Sequence, residues 1–198
     1  MSPLLIKKEI LTFPLKVEYS DKPDFRIYSK SQTIGIEVTE SSSPNFGHAL
    51  ALSENSDGIM DLGDFRFSES EEKKKRSEIE RLLNKDKLTN PPWEGNSAEK
   101  EWVGRAKGVT LGKVKKFDGY PNHQNYHPKI LLVFDVHSEP VDFKQMTDDL
   151  MSALFGCEEI TRVFRYIVFI DNAIIFMDTV GRNWWHYNRA QLSAGFQE

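Results

Sequence analysis

The sequence predicts an α/β fold, a mixed central sheet flanked by helices, and three observations carry that prediction. Residues 24–39 read as a β-hairpin, with β-branched and aromatic residues on both sides of a polar turn. Residues 130–136 form a nearly continuous apolar run, the pattern of a central strand covered on both faces. Residues 97–118 and 142–155 repeat apolar side chains at helical spacing. Strand and helix signals thus interleave along one chain, which is the mark of an α/β sandwich.

Taken in order, residues 4–19 open with an apolar stretch that suits a short helix ending at Pro14. Beyond it, Leu15, Val17 and Tyr19 alternate with Lys16 and Glu18, the signal of a first strand. In the hairpin, residues 25–28 and 34–39 are the strands and Ser29-Lys30-Ser31-Gln32 is the turn. Residues 41–70 are rich in Ser, Asn, Asp and Gly and read as a long irregular excursion, a feature usually functional or mobile. A charged helix over 69–88 follows, with Ile79, Leu82 and Leu83 as a narrow apolar stripe, and Asn90-Pro91-Pro92 breaks it.

The 97–118 helix has Ser97 as its candidate N-cap. Its Gly104, Gly108 and Gly112, four apart, would let its back pack closely on a sheet. Residues 121–127 are a loop. In 142–155, Phe143, Met146, Leu150 and Leu154 share one face. Strands at 163–170 and 173–178 are joined at Asp171-Asn172, a hairpin turn. The tail from Gly181 carries Trp184, Trp185 and Tyr187. No repeat and no clear linker divides the chain. It reads as a single domain over 1–198, with 41–96 inserted between the hairpin and the core helix.

Composition narrows the class. The chain has 198 residues, 39% hydrophobic and 28% charged, which suits a soluble globular protein. Its longest apolar run is far too short to span a bilayer, and its N-terminal apolar stretch is too short and wrongly flanked for a secretory signal. Cys157 is the only cysteine, so no internal disulfide forms, and a reducing, cytoplasmic location is expected. Net charge is −4, yet the charges are segregated. Residues 37–72 hold nine acids and one base, whereas 73–116 hold thirteen bases and six acids. A basic segment can guide a polyanion even on an acidic protein. The Lys73–Arg76 run by itself reads as a solvated helix face.

Glu37 is the residue that does not fit its surroundings. It sits among Ile34, Ile36, Val38 and Thr39 in a strand that reads as buried, and carboxylates are rarely buried unless paired or coordinated. The turn length brings Asp24, at the open end of the hairpin, near the level of Glu37 or Thr39. Two readings follow. The two carboxylates share a divalent cation such as Mg²⁺, which takes oxygen ligands and keeps several waters. Alternatively, Asp24 caps a turn after Pro23 and Glu37 pairs with a lysine.

Lys113 bears on that choice. On a helical wheel, Trp102, Val103, Ala106, Val109, Val114, Phe117 and Tyr120 share one arc; Lys113 falls inside it and Lys116 at its edge. A lysine among core positions is costly unless it meets an acid or an anionic ligand. The ordinary alternative is a packed stem with its charge in water, which suits Lys116 better than Lys113.

Pro23-Asp24-Phe25, then Ile34-Gly35-Ile36-Glu37-Val38-Thr39-Glu40, then Val109-x₃-Lys113-x₂-Lys116-x₃-Tyr120 and the strand ILLVFDV resemble the PD-(D/E)XK nuclease superfamily. The likeness covers roughly residues 5–137. It implies a restriction-endonuclease-like αβββαβ core, here with an extra C-terminal helix and β-hairpin. It further implies that Asp24, Glu37 and the carbonyl of Val38 hold Mg²⁺, with Mn²⁺ as a possible substitute, and that a lysine activates water for phosphodiester hydrolysis. Thr39 stands where the motif wants Lys, and a hydroxyl cannot supply that charge. The superfamily relocates this lysine to the following helix, which makes Lys113 the first candidate and Lys116 the second, with Thr39 hydrogen-bonding within the site. Glu9 matches an extra N-terminal acid of some members, but reads better as a surface residue.

Other residues carry weaker signals. His123 and His127 flank Tyr126 in a loop without the partners a zinc site needs. Asp135 and His137 end the buried strand. Trp184, Trp185 and Tyr187 suit base stacking or, more commonly, packing. Cys157 reads as a small buried residue. The expected function is a metal-dependent nuclease acting on nucleic acid, DNA favoured, with a homodimer if both strands of a duplex are cut and no membrane partner. The alternatives are a catalytically inactive nucleic-acid-binding member of the same fold, and a protein-interaction module using 41–70 and the aromatic tail.

Overall fold

The computed structural model describes residues 10–30, 32–53, 72–83, 94–135, 143–171 and 173–188. Seven strands form one mixed sheet in sequence order: β1 (Lys16–Tyr19), β2 (Phe25–Tyr28), β3 (Thr33–Ser41), β4 (Lys129–Asp135), β5 (Tyr166–Ile170), β6 (Ala173–Asp178) and β7 (Asn183–Asn188). The helices are α1 (Pro44–Ser53), α2 (Arg76–Leu83), α3 (Ser97–Asp118), α4 (Phe143–Phe155) and α5 (Glu158–Val163). The expected α/β class and mixed sheet are therefore present. The expected N-terminal helix falls mainly on residues 1–9, outside the described residues, and 10–15 are irregular.

The chain falls into two compact units, one of residues 1–40, 109–136 and 154–198, the other of 41–108 and 137–153. The first contains the sheet. Strands β1, β2 and β3 form an antiparallel meander, β4 and β5 run parallel, and β5, β6 and β7 are antiparallel. Alternation sorts the side chains. One face carries Phe25 and Ile27, Ile34 and Ile36, Ile130 and Leu132, Val168, and Ile174 and Phe176, packed with Ile10 and Leu11. The other carries Asp24, Arg26, Gly35 and Glu37, whose register follows from the Phe25–Ile36 and Arg26–Gly35 pairs. Phe117 of α3 stacks edge-on against Tyr126 and Phe164 within this unit.

β4 is the middle strand, and Ile130–Val133 are buried, as the unbroken apolar run requires. Gly35 permits one close approach. A Cβ there would lie 3.0 Å from the Tyr126 side chain and 3.2 Å from Pro23 Cγ. Tyr126 thereby lies against the meander, with the Arg26 guanidinium 5.8 Å from its ring centre.

In the second unit, the segment 41–70 is not wholly irregular. The Ser43 hydroxyl accepts the Phe46 N–H at 3.0 Å, and Pro44 occupies the first turn. Together they start α1 in the ordinary way. Ala49 of α1 packs against Ile79 and Leu83 of α2, the stripe expected for the charged helix.

Three further expectations are corrected. Residues 163–165 are not strand: α5 occupies 158–163 and β5 starts at Tyr166. Val163 is β-branched, but burial of Ile160 and Val163 on one face of α5 outweighs that preference. Ser97 is not the cap of α3, because its hydroxyl accepts the Glu94 N–H and the Asn96 carbonyl accepts the first helical N–H, that of Lys100. Gly108 and Gly112 of α3 do not serve close packing either, since both are exposed and nothing lies within 4 Å of a Cβ on Gly112. Gly112→Ala should therefore raise the unfolding free energy by about 0.8–1 kcal/mol, the ordinary helix-interior difference. Chemical denaturation of the two proteins measures it.

Candidate metal and phosphodiester site

The site is built by β2, β3 and the end of α3, all in the sheet-bearing unit. Glu37 is 2 % exposed, in the middle of β3. Its Oε1 accepts a charge-assisted bond from Lys113 Nζ at 2.7 Å and a second bond from the Tyr120 hydroxyl at 3.1 Å. Its Oε2 is buried and has no hydrogen-bond partner among the described residues. Asp24 is half-buried and immediately precedes β2, whose first ladder pair, Phe25–Ile36, is one residue short of Glu37. Its Oδ2 accepts the Val38 N–H at 2.7 Å. A strand residue directs its N–H and C=O to the same neighbour, so the Val38 carbonyl also faces the end of β2 where Asp24 sits.

The expected residues distribute unevenly. Asp24, Glu37, Val38 and Lys113 come together. Of the two readings of the hairpin, the pairing of Glu37 with a lysine is present, whereas the Asp24 carboxylate accepts the Val38 N–H of β3 rather than capping a turn after Pro23. Thr39 lies on the Glu37 face of β3, but its hydroxyl makes only a 3.5 Å contact to the Glu40 carbonyl. Lys116 is exposed on α3. It stands outside the cluster because its position on the wheel is at the edge of the buried arc. Glu9 and His137 lie outside the described residues.

Two residues were not singled out as site candidates. Tyr120 stood in the core arc and closed the Val109-x₃-Lys113-x₂-Lys116-x₃-Tyr120 string without a role of its own; it lies just past the end of α3, and its hydroxyl reaches the carboxylate that Lys113 binds. Arg26 lies two residues beyond Asp24 on β2, hence on the same face. Its Nη2 donates to the Lys22 carbonyl at 3.2 Å, and its buried Nε has no partner.

Elsewhere, His123 Nδ1 lies 3.5 Å from Lys129 Nζ, and His127 is exposed. Asp135 is half-buried at the end of β4. Trp184, Trp185 and Tyr187 belong to β7, where Trp185 packs on Phe176. Cys157 is half-buried rather than buried, because it precedes α5 in a turn. In the basic segment, Arg105 is buried and donates to the Ser41 hydroxyl at 3.2 Å, and Arg76 pairs with Glu80. Neither guanidinium is free for phosphate, whereas Lys73, Lys74 and Lys75 are exposed.

Burial, then the Glu37 charge and hydrogen bond, push the Tyr120 hydroxyl up to about 12 from the usual 10. A raised value in the folded state means that the neutral phenol is favoured by folding. Its contribution is complete below pH 10 and is lost as pH rises toward about 12. Ultraviolet titration should show a tyrosinate signal that appears late and is absent in Tyr120→Phe. The variant should also lose less stability than the wild type across that window.

A divalent cation fits this donor set. Glu37 Oε2 is an orphaned buried acceptor, and Asp24 Oδ1 has no hydrogen bond among the described residues. Both belong to hard oxygen ligands that suit Mg²⁺. Among the described residues no group of three or more acidic, His or Cys side chains is placed to hold a metal. A cation would therefore rest on two carboxylates, the Val38 carbonyl and water. No family model, no curated protein and no solved structure matches this chain. No helix among the described residues is long and apolar enough to cross a membrane.

Proposed function

We propose that this chain is a Mg²⁺-dependent nuclease with the restriction-endonuclease-like core of the PD-(D/E)XK superfamily, hydrolysing phosphodiester bonds in nucleic acid, DNA favoured. The observation that carries the reading is the Glu37 carboxylate, with one oxygen tied to Lys113 and Tyr120 and the other buried, unpartnered and facing no donor. Asp24, whose carboxylate accepts the Val38 N–H, supplies the second carboxylate. The order of a β-meander, a long helix and a buried strand agrees with the core that the motifs imply.

A Mg²⁺ ion held by Asp24, Glu37 and the Val38 carbonyl would polarise the scissile phosphate and lower the pKa of water. The protein's own residues do the rest. Lys113 takes the role of the lysine missing at Thr39, its ammonium fixed by Glu37 and able to offset charge developing on the phosphate. Tyr120 holds the Glu37 carboxylate in one orientation. Arg26, on the same sheet face, adds a cation toward a bound polyanion.

A second reading has its own support. Lys113 and Tyr120 both bond the same Glu37 oxygen, a closed arrangement that also suits a nucleic-acid-binding member without catalysis. Incubation of labelled DNA and RNA with the protein, with and without Mg²⁺ or Mn²⁺, separates the two. Metal-dependent fragments support the nuclease. Salt-sensitive binding without fragments supports the second reading, and neither result would leave both without basis.

A further inference from the structure

A polar pocket lies in the sheet-bearing unit, with none of the Glu37 site residues in its lining. It encloses about 410 Å³ and its charged lining is entirely basic: Lys129, Arg162 and Arg165, with His127, Gln32 and Thr161 beside them. The His127 N–H bonds the Thr33 carbonyl at 2.8 Å. That places the rim at the start of β3, roughly 13 Å along the strand from Glu37 at about 3.3 Å per residue.

Lys129 is the informative residue. It opens β4, half-buried, and burial pulls its ammonium below the usual lysine range. Among the described residues it forms no ion pair. Its near neighbours are the Phe117 ring, 5.6 Å away, and His123 Nδ1 at 3.5 Å; the Asp118 carboxylate, already paired with Arg162, acts on it only from beyond ion-pair distance and opposes the effect of burial in part. The two arginines are each tied to one acid, Arg162 to Asp118 and Arg165 to Asp178. Those acids orient the guanidiniums but do not line the pocket. A partly desolvated cation without a carboxylate of its own is costly, and an anion entering the pocket would supply the missing partner. Arginines already held in place lose little freedom on binding.

We propose that this pocket binds a phosphate monoester, the dianionic group found at the end of an oligonucleotide or on a free mononucleotide. Lys129 supplies the charge that the dianion completes. Arg162 and Arg165 supply planar donors at the rim, and the Thr161 hydroxyl a neutral one. A monoester brings more charge than a backbone diester to the same set of cations, so a terminal phosphate is preferred over an internal one. The inference does not rest on the nuclease reading, because it needs neither Glu37 nor a metal.

Calorimetric titration of the full chain in a chelator, which excludes cleavage, tests it. The probes are a 5′-phosphorylated dinucleotide, the same dinucleotide with a 5′-hydroxyl, and a mononucleotide. The phosphorylated dinucleotide should bind at least about tenfold tighter than its hydroxyl counterpart. Lys129→Gln and, separately, the more exposed Arg162→Gln should each remove that preference, whereas Lys113→Gln should keep it. Binding of the mononucleotide as tightly as the dinucleotide supports the pocket and assigns it a free nucleotide. Tighter binding of the dinucleotide supports the pocket and assigns it a strand end. Equal binding of the two dinucleotides, or a preference that survives in both pocket variants, overturns the proposal.

Discussion

Lys113→Met should lower the unfolding free energy by about 3 kcal/mol, because it breaks a buried ion pair and leaves one charge behind. The Glu37 side chain is 3% exposed and that of Lys113 16%, so water cannot readily replace the lost ammonium. Among the described residues, Tyr120 would remain as the only donor to the carboxylate. Methionine keeps the length and apolar character of the lysine stem, so the loss reports charge more than packing. The same variant tests the proposed metal site. A cation bound to the orphaned oxygen would offset the stranded carboxylate, so saturating Mg²⁺ should return part of the stability. The scale is about 2.7 kcal/mol at a hundred times the dissociation constant. Denaturation of wild type and variant with and without Mg²⁺ measures both effects. An unchanged stability in Lys113→Met would mean that the pair is not desolvated in solution.

Glu37→Ala should remove metal-dependent cleavage, by roughly 10³-fold or more, the scale of losing a preorganised electrostatic contact at a reacting centre. It removes the carboxylate and also frees Lys113 and Tyr120 from the geometry that Oε1 imposes. Folding must be checked beside activity, since Lys113 is then left without its acid. Glu37→Gln is the milder companion. It keeps the volume and an acceptor for Tyr120 while removing the charge. Cleavage that persists in both variants at wild-type rates, in well-folded protein, would place the chemistry elsewhere.

Much of this site was legible because burial and charge conflict visibly in the sequence. Glu37 interrupts an apolar strand, and Lys113 interrupts an apolar helical arc; each is costly alone, so each called for the other. The turn length placed Asp24 near the level of Glu37 or Thr39 before any coordinates. Lys116 illustrates the limit of the wheel, where a position at the edge of an arc is left to solvent. Tyr120 was hidden for a different reason. An aromatic residue in a core arc looks apolar, and only the structure reveals where its hydroxyl lands. Arg26 was hidden because strand alternation becomes informative only once Asp24 has a facing partner.

The fold was legible where periodicity ran long. β3, β4 and α3 lie close to their expected bounds because burial enforces one pattern over many residues. The short elements were not. Ser43-Pro44 is a helix start that the surrounding Ser and Asn residues disguise as loop. Six residues suffice for α5, too few for a helical period to outweigh the strand preference of Val163. β7 forms from an aromatic tail whose alternation, Trp185 and Tyr187 against Trp184 and His186, is meaningful only with β6 beside it.

Titration of Mn²⁺ into the wild-type chain and into Asp24→Asn and Glu37→Gln, followed by calorimetry, tests the central claim most directly. The expected result is saturable binding at a single site in the wild type, weakened at least about tenfold in each variant. Absence of saturable binding in the wild type, or equal affinity in all three proteins, would contradict a cation held between β2 and β3.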